Sequence, residues 1–435
     1  MIDRRRTLNI RTVILFIIGV VSCSDILSAF TVGSTPIMIA NVLALPLLFF
    51  CIVHHHGKLV RIAHFLTKDL LYLGAFILLS IFQVLLFNPG NAYQWLVGSI
   101  SFLLQVLLII SIIESKEEIN ALYWGVFLGV IINFIISIYA MRLYNSGIIF
   151  DLAEFFPNEG GIGEMYLSNP FRARGMFKEQ GHLMRFLAII AIPLAQFIKG
   201  KSQAIFVFYV AAVAFLMAFT GSSSVAIFVV GLIVFIIITN GKNATKVLVF
   251  ILCCGISVFV LLYLGRNNPF ISKMLTAFQI GVSSIFDTSG ANSSRVQGMK
   301  YALVIIKEYP FIGCGWNNFT KIFMDHGFYG INGIMGSYSG ALSLIAELGF
   351  ASLFYFYFML NKGIRLIKYS YKDSHIGIGI SLLVYFALFC MTDYSIDAGS
   401  AVFLSLVLLE YADWRDTMAM DDKIKIRNTE MEVIR

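Results

Sequence analysis

The sequence predicts an all-α polytopic membrane protein with about twelve transmembrane helices. Three observations carry that prediction: the composition, the length of the apolar runs and the placement of the cations. Of 435 residues, 58% are hydrophobic and only 13% charged, with a mean hydropathy of +0.83. A soluble protein of this length needs far more surface charge. The apolar runs are continuous and come near the ~20 residues that cross ~30 Å of hydrocarbon as a helix. A membrane β-barrel would show short alternating segments instead.

Taken in order, the first apolar run follows Arg4-Arg5-Arg6 and resembles a signal peptide. No small-residue cleavage site follows and more spans come after it, so it reads as a retained helix. The expected spans are approximately 12–30, 34–53, 69–87, 96–113, 120–140, 183–198, 204–219, 224–239, 247–264, 338–360, 376–391 and 399–412. They make residues 1–435 a single integral membrane domain ending in a polar tail, 413–435. Short loops on the N-terminal side carry Lys58, Arg61, Lys68, Lys116, Lys199, Lys201, Lys242 and Lys246, and Lys362, Arg365, Lys368 and Lys372 follow the tenth span. The short loops 31–33, 88–95, 220–223 and 392–398 on the other side contain no Lys or Arg. That asymmetry makes both termini cytoplasmic.

The formal charge of +7 therefore follows from membrane insertion, and no nucleic-acid partner is expected. Five of the six cysteines fall in apolar runs; Cys314 alone lies in a long loop, so no disulfide framework is implied. His54-His55-His56 sits at an inner helix end with no carboxylate or cysteine nearby and reads as interface histidines rather than a metal site.

Two long charged segments, 141–181 and 264–337, fall on the outer side. The first sets Arg142, Arg172, Arg174 and Lys178 against Asp151, Glu154, Glu159, Glu164 and Glu179, with Pro157, Gly160, Gly161 and Gly163 marking irregular backbone. Arg172-Ala173-Arg174 offers two planar forks suited to phosphate, and Gly175 lets the backbone approach a ligand; anchorage to lipid head groups is the alternative. Glu179, His182 and Arg185 are three apart, helical neighbours at the mouth of the sixth span. Such a run faces a polar cavity or pairs internally.

In the second segment Ser293 or Ser294 is expected to cap a helix with Arg295 in its first turn. Val296, Met299, Leu303 and Ile306 form its apolar stripe, and Pro310 ends it, giving an amphipathic helix at the outer interface. Trp316 and Phe319 suit stacking on sugar rings or interface anchoring. Asp25 and Glu347 are expected within the first and tenth spans, where an embedded carboxylate suggests a proton path. For Glu347 a hydrogen-bonded role with the loop arginines or neighbouring helices is preferred.

These pieces, in this order, resemble the O-antigen polymerase and ligase superfamily of bacterial cell-surface polysaccharide assembly. The stretches that carry the likeness are Arg174-Gly175-Met176-Phe177-Lys178-Glu179 before a span and Thr220-Gly221-Ser222-Ser223-Ser224 between two spans. Ser294-Arg295, Glu308-Tyr309-Pro310-Phe311-Ile312-Gly313-Cys314-Gly315-Trp316-Asn317-Asn318-Phe319, Tyr338-Ser339 and Ala346-Glu347-Leu348-Gly349 follow. In the ligase branch a His followed by Asn, Ser or Gln precedes Glu-Leu-Gly. Here Tyr338 takes the His position and Ser339 fits the second, which favours the polymerase branch (Wzy-type).

The resemblance implies a GT-C-type fold in the bacterial inner (cytoplasmic) membrane, working without metal, cofactor or nucleotide sugar. Both substrates would be glycans on undecaprenyl pyrophosphate at the outer, periplasmic face, and a chain-length regulator comes into view as a partner. The product would be O-antigen, capsule or exopolysaccharide. On this reading Arg172, Arg174 and Arg295 hold the pyrophosphate in place of a divalent metal. Lys178, Tyr338 and Glu347 complete the substrate-binding set. Glu179 orients or deprotonates the acceptor hydroxyl, with His182 second. A flippase is the rival class, but it would place its charges in a deep central cavity rather than in outer loops.

Overall fold

The computed structural model describes residues 10–32, 35–40, 42–43, 71–72, 74–76, 78–87, 105–113, 115–150, 152–156, 171–273, 275–276, 279, 291–315, 318–328, 337–369, 373–392 and 399–412. Most of the expected span 34–53 and the first half of 96–113 lie outside these residues, as do His54-His55-His56, Glu159, Glu164, Trp316 and the tail 413–435; residues 105–112 are helical. The helices are α1 (Ile10–Val21), α2 (Gly74–Phe87), α3 (Lys116–Asn145), α4 (Gln180–Lys199), α5 (Gln203–Thr220), α6 (Val225–Asn240) and α7 (Ala244–Leu264). After them come α8 (Ala291–Glu308), α9 (Phe319–Asp325), α10 (Gly340–Leu348), α11 (Ala351–Lys368), α12 (Asp373–Met391) and α13 (Gly399–Ala412). Among the described residues, five helical segments are long and apolar enough to cross a membrane: α3, α4, α5, α12 and one running through α6 to Val249. The molecule is thus a predominantly helical, multi-pass membrane protein.

The middle of the chain follows the expected spans closely. The fifth is longer than expected, because Ser115 starts it early with a reciprocal cap. The Ser115 hydroxyl accepts from the Glu118 amide at 3.3 Å, and the Glu118 carboxylate accepts from the Ser115 amide at 3.0 Å. Its far end runs to Asn145, five residues into the segment expected to be loop.

Three expected spans are broken, 12–30 and the start of 34–53 by one hairpin and 338–360 by a glycine. The run 12–30 is helical only to Val21; Ser28–Val32 and Thr35–Met38 then pair as an antiparallel hairpin, β1 and β2. Phe30, Thr31 and Val32 suit a strand, and apolar content alone does not distinguish strand from helix. The run 338–360 divides at Gly349. A continuous helix would send the carbonyls of Ala346 and Glu347 to the amides four residues on. Here those carbonyls accept from Cys314 and Gly315 at 2.8 and 2.9 Å, and the Phe350 amide turns to the Phe311 carbonyl at 3.0 Å. A loop strand has taken over the helix's own hydrogen bonds.

The core sits on α4, packed against α3, α5, α6 and α12. Two-thirds (67%) of the apolar window of α4 is buried, against 17% for the segment through α6, which leaves α6 an outer, lipid-facing helix. α1 crosses α3 at backbone contact. A methyl group on Gly125 would lie 2.1 Å from the Phe16 carbonyl oxygen, and one on Gly129 would lie 2.4 Å from Cys23 Sγ. Small residues four apart are what permit that approach.

The chain reversals at 22–27, 171–179, 220–224, 337–340 and 390–392 gather at one end of the bundle. Gly340 donates to the Thr392 carbonyl at 2.6 Å and Ser339 Oγ to the Cys390 carbonyl at 2.6 Å. The opposite end collects the lysine-rich turns. There His375 Nε2 lies 3.2 Å from Glu410 Oε2, Lys362 Nζ stands 3.3 Å from the centre of the Tyr411 ring, and Arg365 donates to the Tyr411 hydroxyl at 3.2 Å.

Candidate functional site

The first long loop returns to the bundle as the segment Phe171–Glu179, held by backbone rather than by charge. Ala173 donates to the Phe219 carbonyl at 2.8 Å, tying the segment to the end of α5. Asn133, one turn beyond Gly129 on α3, organises the rest. Its amide nitrogen donates to the carbonyls of Cys23 (2.9 Å) and Gly129 (2.8 Å), while its oxygen accepts from the Met176 amide at 2.7 Å. Ser24 Oγ then donates to the Met176 carbonyl at 2.8 Å, and the Asp25 amide reaches the same carbonyl at 3.3 Å. Gly175, at φ +55°, rests directly on Asn133.

This network brings Asp25 to His182 across 157 residues of sequence. Asp25 Oδ2 lies 2.5 Å from His182 Nδ1, and Asp25 Oδ1 accepts from the Lys178 amide at 2.6 Å. An ionised carboxylate only accepts, so opposite one Nδ1 carries the ring proton, and a neutral ring then presents Nε2 as a lone pair. Nε2 is 3.9 Å from Glu179 Oε2, too far for a hydrogen bond. Glu179 precedes the first turn of α4 and is exposed; His182 is partly exposed. Asp25 was expected inside a span, but the end of α1 at Val21 leaves it in the connection, at the mouth of the bundle. The third member of the expected run, Arg185, is half-buried one turn deeper on α4.

The expected pair of forks is arranged unequally. Arg174 is buried, and its Nη2 donates to the Phe150 carbonyl at 3.1 Å, so it braces the loop against the chain leaving α3. Arg172 donates from Nε to the Thr220 carbonyl at 2.7 Å and from Nη2 to the Gly221 carbonyl. It is also drawn together with Arg295 from the second loop. Burial, and then the charge of Arg295, lower the Arg172 guanidinium from the ordinary arginine range to about 10. Arg295 is exposed, and among the described residues no carboxylate pairs with either guanidinium. The two cations are near enough for one to act on the charge of the other, and Arg172 is largely desolvated.

The second loop packs as a small unit on α10. Ala302, Ile305, Cys314, Phe319, Phe323 and Ala346 form its core, with Tyr338 and Leu342 against it. α8 begins at Ala291, so Ser293 and Ser294 lie within the helix rather than capping it. Val296 and Leu303 of the expected stripe are exposed; Gly298, Ala302 and Ile305 face inward instead. Small residues on the inner side let α8 approach α10, and the larger ones point out to an interface.

Glu347 is the penultimate residue of the nine-residue helix α10 instead of lying deep in a long span. Its carbonyl holds the Gly315 amide. Burial, and then the Glu347 charge, push the Cys314 thiol up to about 12, which keeps it un-ionised. Tyr338 is the one non-glycine residue with positive φ among the described residues, at +52°. That strained conformation immediately precedes Ser339, whose hydroxyl caps α10 by accepting from the Leu342 amide at 3.3 Å.

His326, at the end of α9, clamps α8. Nε2 lies 3.0 and 3.1 Å from the two Glu308 oxygens, and Nδ1 2.9 Å from the Ile322 carbonyl. Only the doubly protonated ring donates to both, so its pKa is raised, first by Glu308 and then by the Ile322 carbonyl, with Asp325 adding to the effect. The stabilisation is complete below the unfolded histidine pKa and is lost as pH rises through the raised folded one. The protection factors of the α9 amides, with the intrinsic pH dependence of exchange divided out, are therefore expected to be lower at pH 8.5 than at pH 5.5. Glu308→Gln is expected to flatten the difference; an unchanged pH dependence in that variant would show that another group controls it.

Asn133, Asp25 and Ser24 are the site residues that loop motifs alone do not reveal. The signal for Asn133 is present in the sequence, as the third member of the four-residue spacing Gly125, Gly129, Asn133.

Residues 206–357 match the family described as O-antigen ligase. The match supports the superfamily of O-antigen ligases and polymerases. It runs from α5 into α11 and takes in Arg295, Tyr338 and Glu347, while Asp25, Arg172, Arg174, Lys178, Glu179 and His182 precede it. It supports a role in cell-surface glycan assembly by a glycan-processing membrane enzyme. Among curated proteins, none matches this chain.

Proposed function

We propose that this protein is a polymerase of cell-surface polysaccharide. It transfers a growing glycan from undecaprenyl pyrophosphate to a lipid-linked repeat unit at the outer face of the inner membrane. What supports this reading is that Arg172 and Arg295, 123 residues apart in sequence, come near enough for the charge of Arg295 to lower the Arg172 pKa. A sugar pyrophosphate leaves readily when fixed cations receive its developing charge, the role a divalent metal fills elsewhere. Arg172, Arg295 and the partly exposed Lys178 supply those cations; Arg174 holds the loop that presents them. Glu179 and His182 stand at the same end to orient or deprotonate the acceptor hydroxyl. From Arg172 to Lys178 is six residues, at most ~20 Å of extended chain, so leaving group and acceptor fit within one site. Tyr338, just before α10, and Glu347, on it, complete the residues proposed to bind substrate.

A ligase shares this chemistry and differs in its acceptor. The description of the matching family favours a ligase; Tyr338, at the position where the ligase branch carries His, favours a polymerase. The deciding experiment reconstitutes the purified protein in liposomes with lipid-linked repeat units on the outer leaflet. A ladder of lengthening lipid-linked glycans is expected. Transfer only to an added lipid A-type acceptor would make it a ligase, and transbilayer movement without new glycosidic bonds would make it a flippase.

A further inference from the structure

We propose that Asp25 is the positioning residue that makes His182 the base for the acceptor hydroxyl, with Glu179 passing the proton outward. This deepens the transferase reading above and rests on it. The geometry is that of a carboxylate–imidazole pair, with each hydrogen bond fixing a different degree of freedom. Asp25 Oδ1 is held by the Lys178 amide at 2.6 Å, so the carboxylate cannot rotate away. Asp25 Oδ2 takes the Nδ1 proton at 2.5 Å, which sets the tautomer and aims Nε2 outward. The backbone of Asp25 is itself tied through Met176 to Asn133. Nε2 has no hydrogen-bond partner among the described residues and is partly exposed at the end of the bundle that holds the two arginines. Glu179, 3.9 Å away and exposed, is spaced for relay through one water rather than for direct contact.

In the step, the acceptor oxygen forms its bond to the donor's anomeric carbon as the carbon–oxygen bond to pyrophosphate breaks. The electron pair of that bond leaves with the pyrophosphate. The acceptor's proton goes to Nε2, giving an imidazolium whose charge faces Asp25. Glu179 then takes the proton and releases it to water outside.

The test uses the full-length protein in the liposome assay, with His182→Ala, Asp25→Asn and the double variant. His182→Ala is expected to lower kcat about a hundred- to ten-thousand-fold, the range for a lost general base. Asp25→Asn, which places an amide N–H against Nδ1 and so puts the ring proton on Nε2, is expected to lower kcat at least tenfold with KM little changed. The double variant should be no slower than His182→Ala alone, because Asp25 acts only through the imidazole. A double variant slower by the product of the two single effects would make Asp25 structural and overturn the proposal. So would a His182→Ala protein with wild-type kcat. Thermal unfolding of each variant separates misfolding from lost chemistry. If Asp25→Asn does not fold, imidazole added to His182→Ala supplies the second readout: restored turnover supports the base, and no restoration counts against it. A wild-type protein that forms no glycosidic bond would fail the transferase reading itself, a result distinct from any of these.

Discussion

Arg295→Ala is expected to lower the rate of glycan transfer about a hundred- to a thousand-fold, the usual consequence of removing one fixed donor from a developing anion, while leaving the thermal unfolding midpoint within about 2 °C. Arg295 is exposed and close to Arg172. A charge near a like charge, with no carboxylate paired among the described residues, is not expected to add to folding stability. Arg172→Ala should lower transfer by a similar factor and also destabilise the protein, because its guanidinium holds the carbonyls of Thr220 and Gly221. The two variants thus separate binding from bracing. Arg295→Lys keeps the charge and loses the planar fork, so it should recover only part of the rate. Initial rates with lipid-linked substrate, beside unfolding curves, decide the matter. Full rates in both alanine variants would remove the pyrophosphate site, and full recovery in Arg295→Lys would remove the bidentate contact.

The legible part of the fold was what local pattern determines. Continuous apolar length locates α3 to α7, α12 and α13. Breaks in the pattern were not legible, because their causes are distant in sequence. Gly349 interrupts the tenth span only because Cys314 and Gly315 occupy the carbonyls that a longer helix would use. The motifs Gly313-Cys314-Gly315 and Ala346-Glu347-Leu348-Gly349 had been noticed separately, and their hydrogen bonds explain why both are needed. Asp25 was visible as a carboxylate in an apolar setting and was read as a proton path. Its partner lies 157 residues on, a pairing that helical spacing, which reaches only four residues, cannot reveal. Arg174 shows the reverse error: the Arg-x-Arg pattern marks two cations but not their directions, and one turns inward to Phe150.

Gly175→Ala tests the scaffold on which all of this depends, and a large loss of both stability and transfer is expected. At φ +55°, a side chain costs about 1–2 kcal/mol through its clash with the following carbonyl. A methyl group there would also fall 2.1 Å from Asn133 Oδ1, within any tolerable contact. Asn133 cannot yield cheaply, since it is fully buried and its amide is committed to Cys23, Gly129 and Met176. Leaving even one of those groups unsatisfied costs about 1–3 kcal/mol more, so the loss should reach about 3 kcal/mol. The Met176 carbonyl holds Ser24 and Asp25, so a displaced loop also uncouples Asp25 from His182. Asn133→Ala alone should lose the hydrogen bonds without the clash. In the double variant the smaller side chain makes room for the new methyl group, and the combined loss should fall short of the sum by about 1 kcal/mol or more, as for residues in contact. Unfolding measurements on the three variants give that coupling directly. Strict additivity would mean that Gly175 does not rest on Asn133.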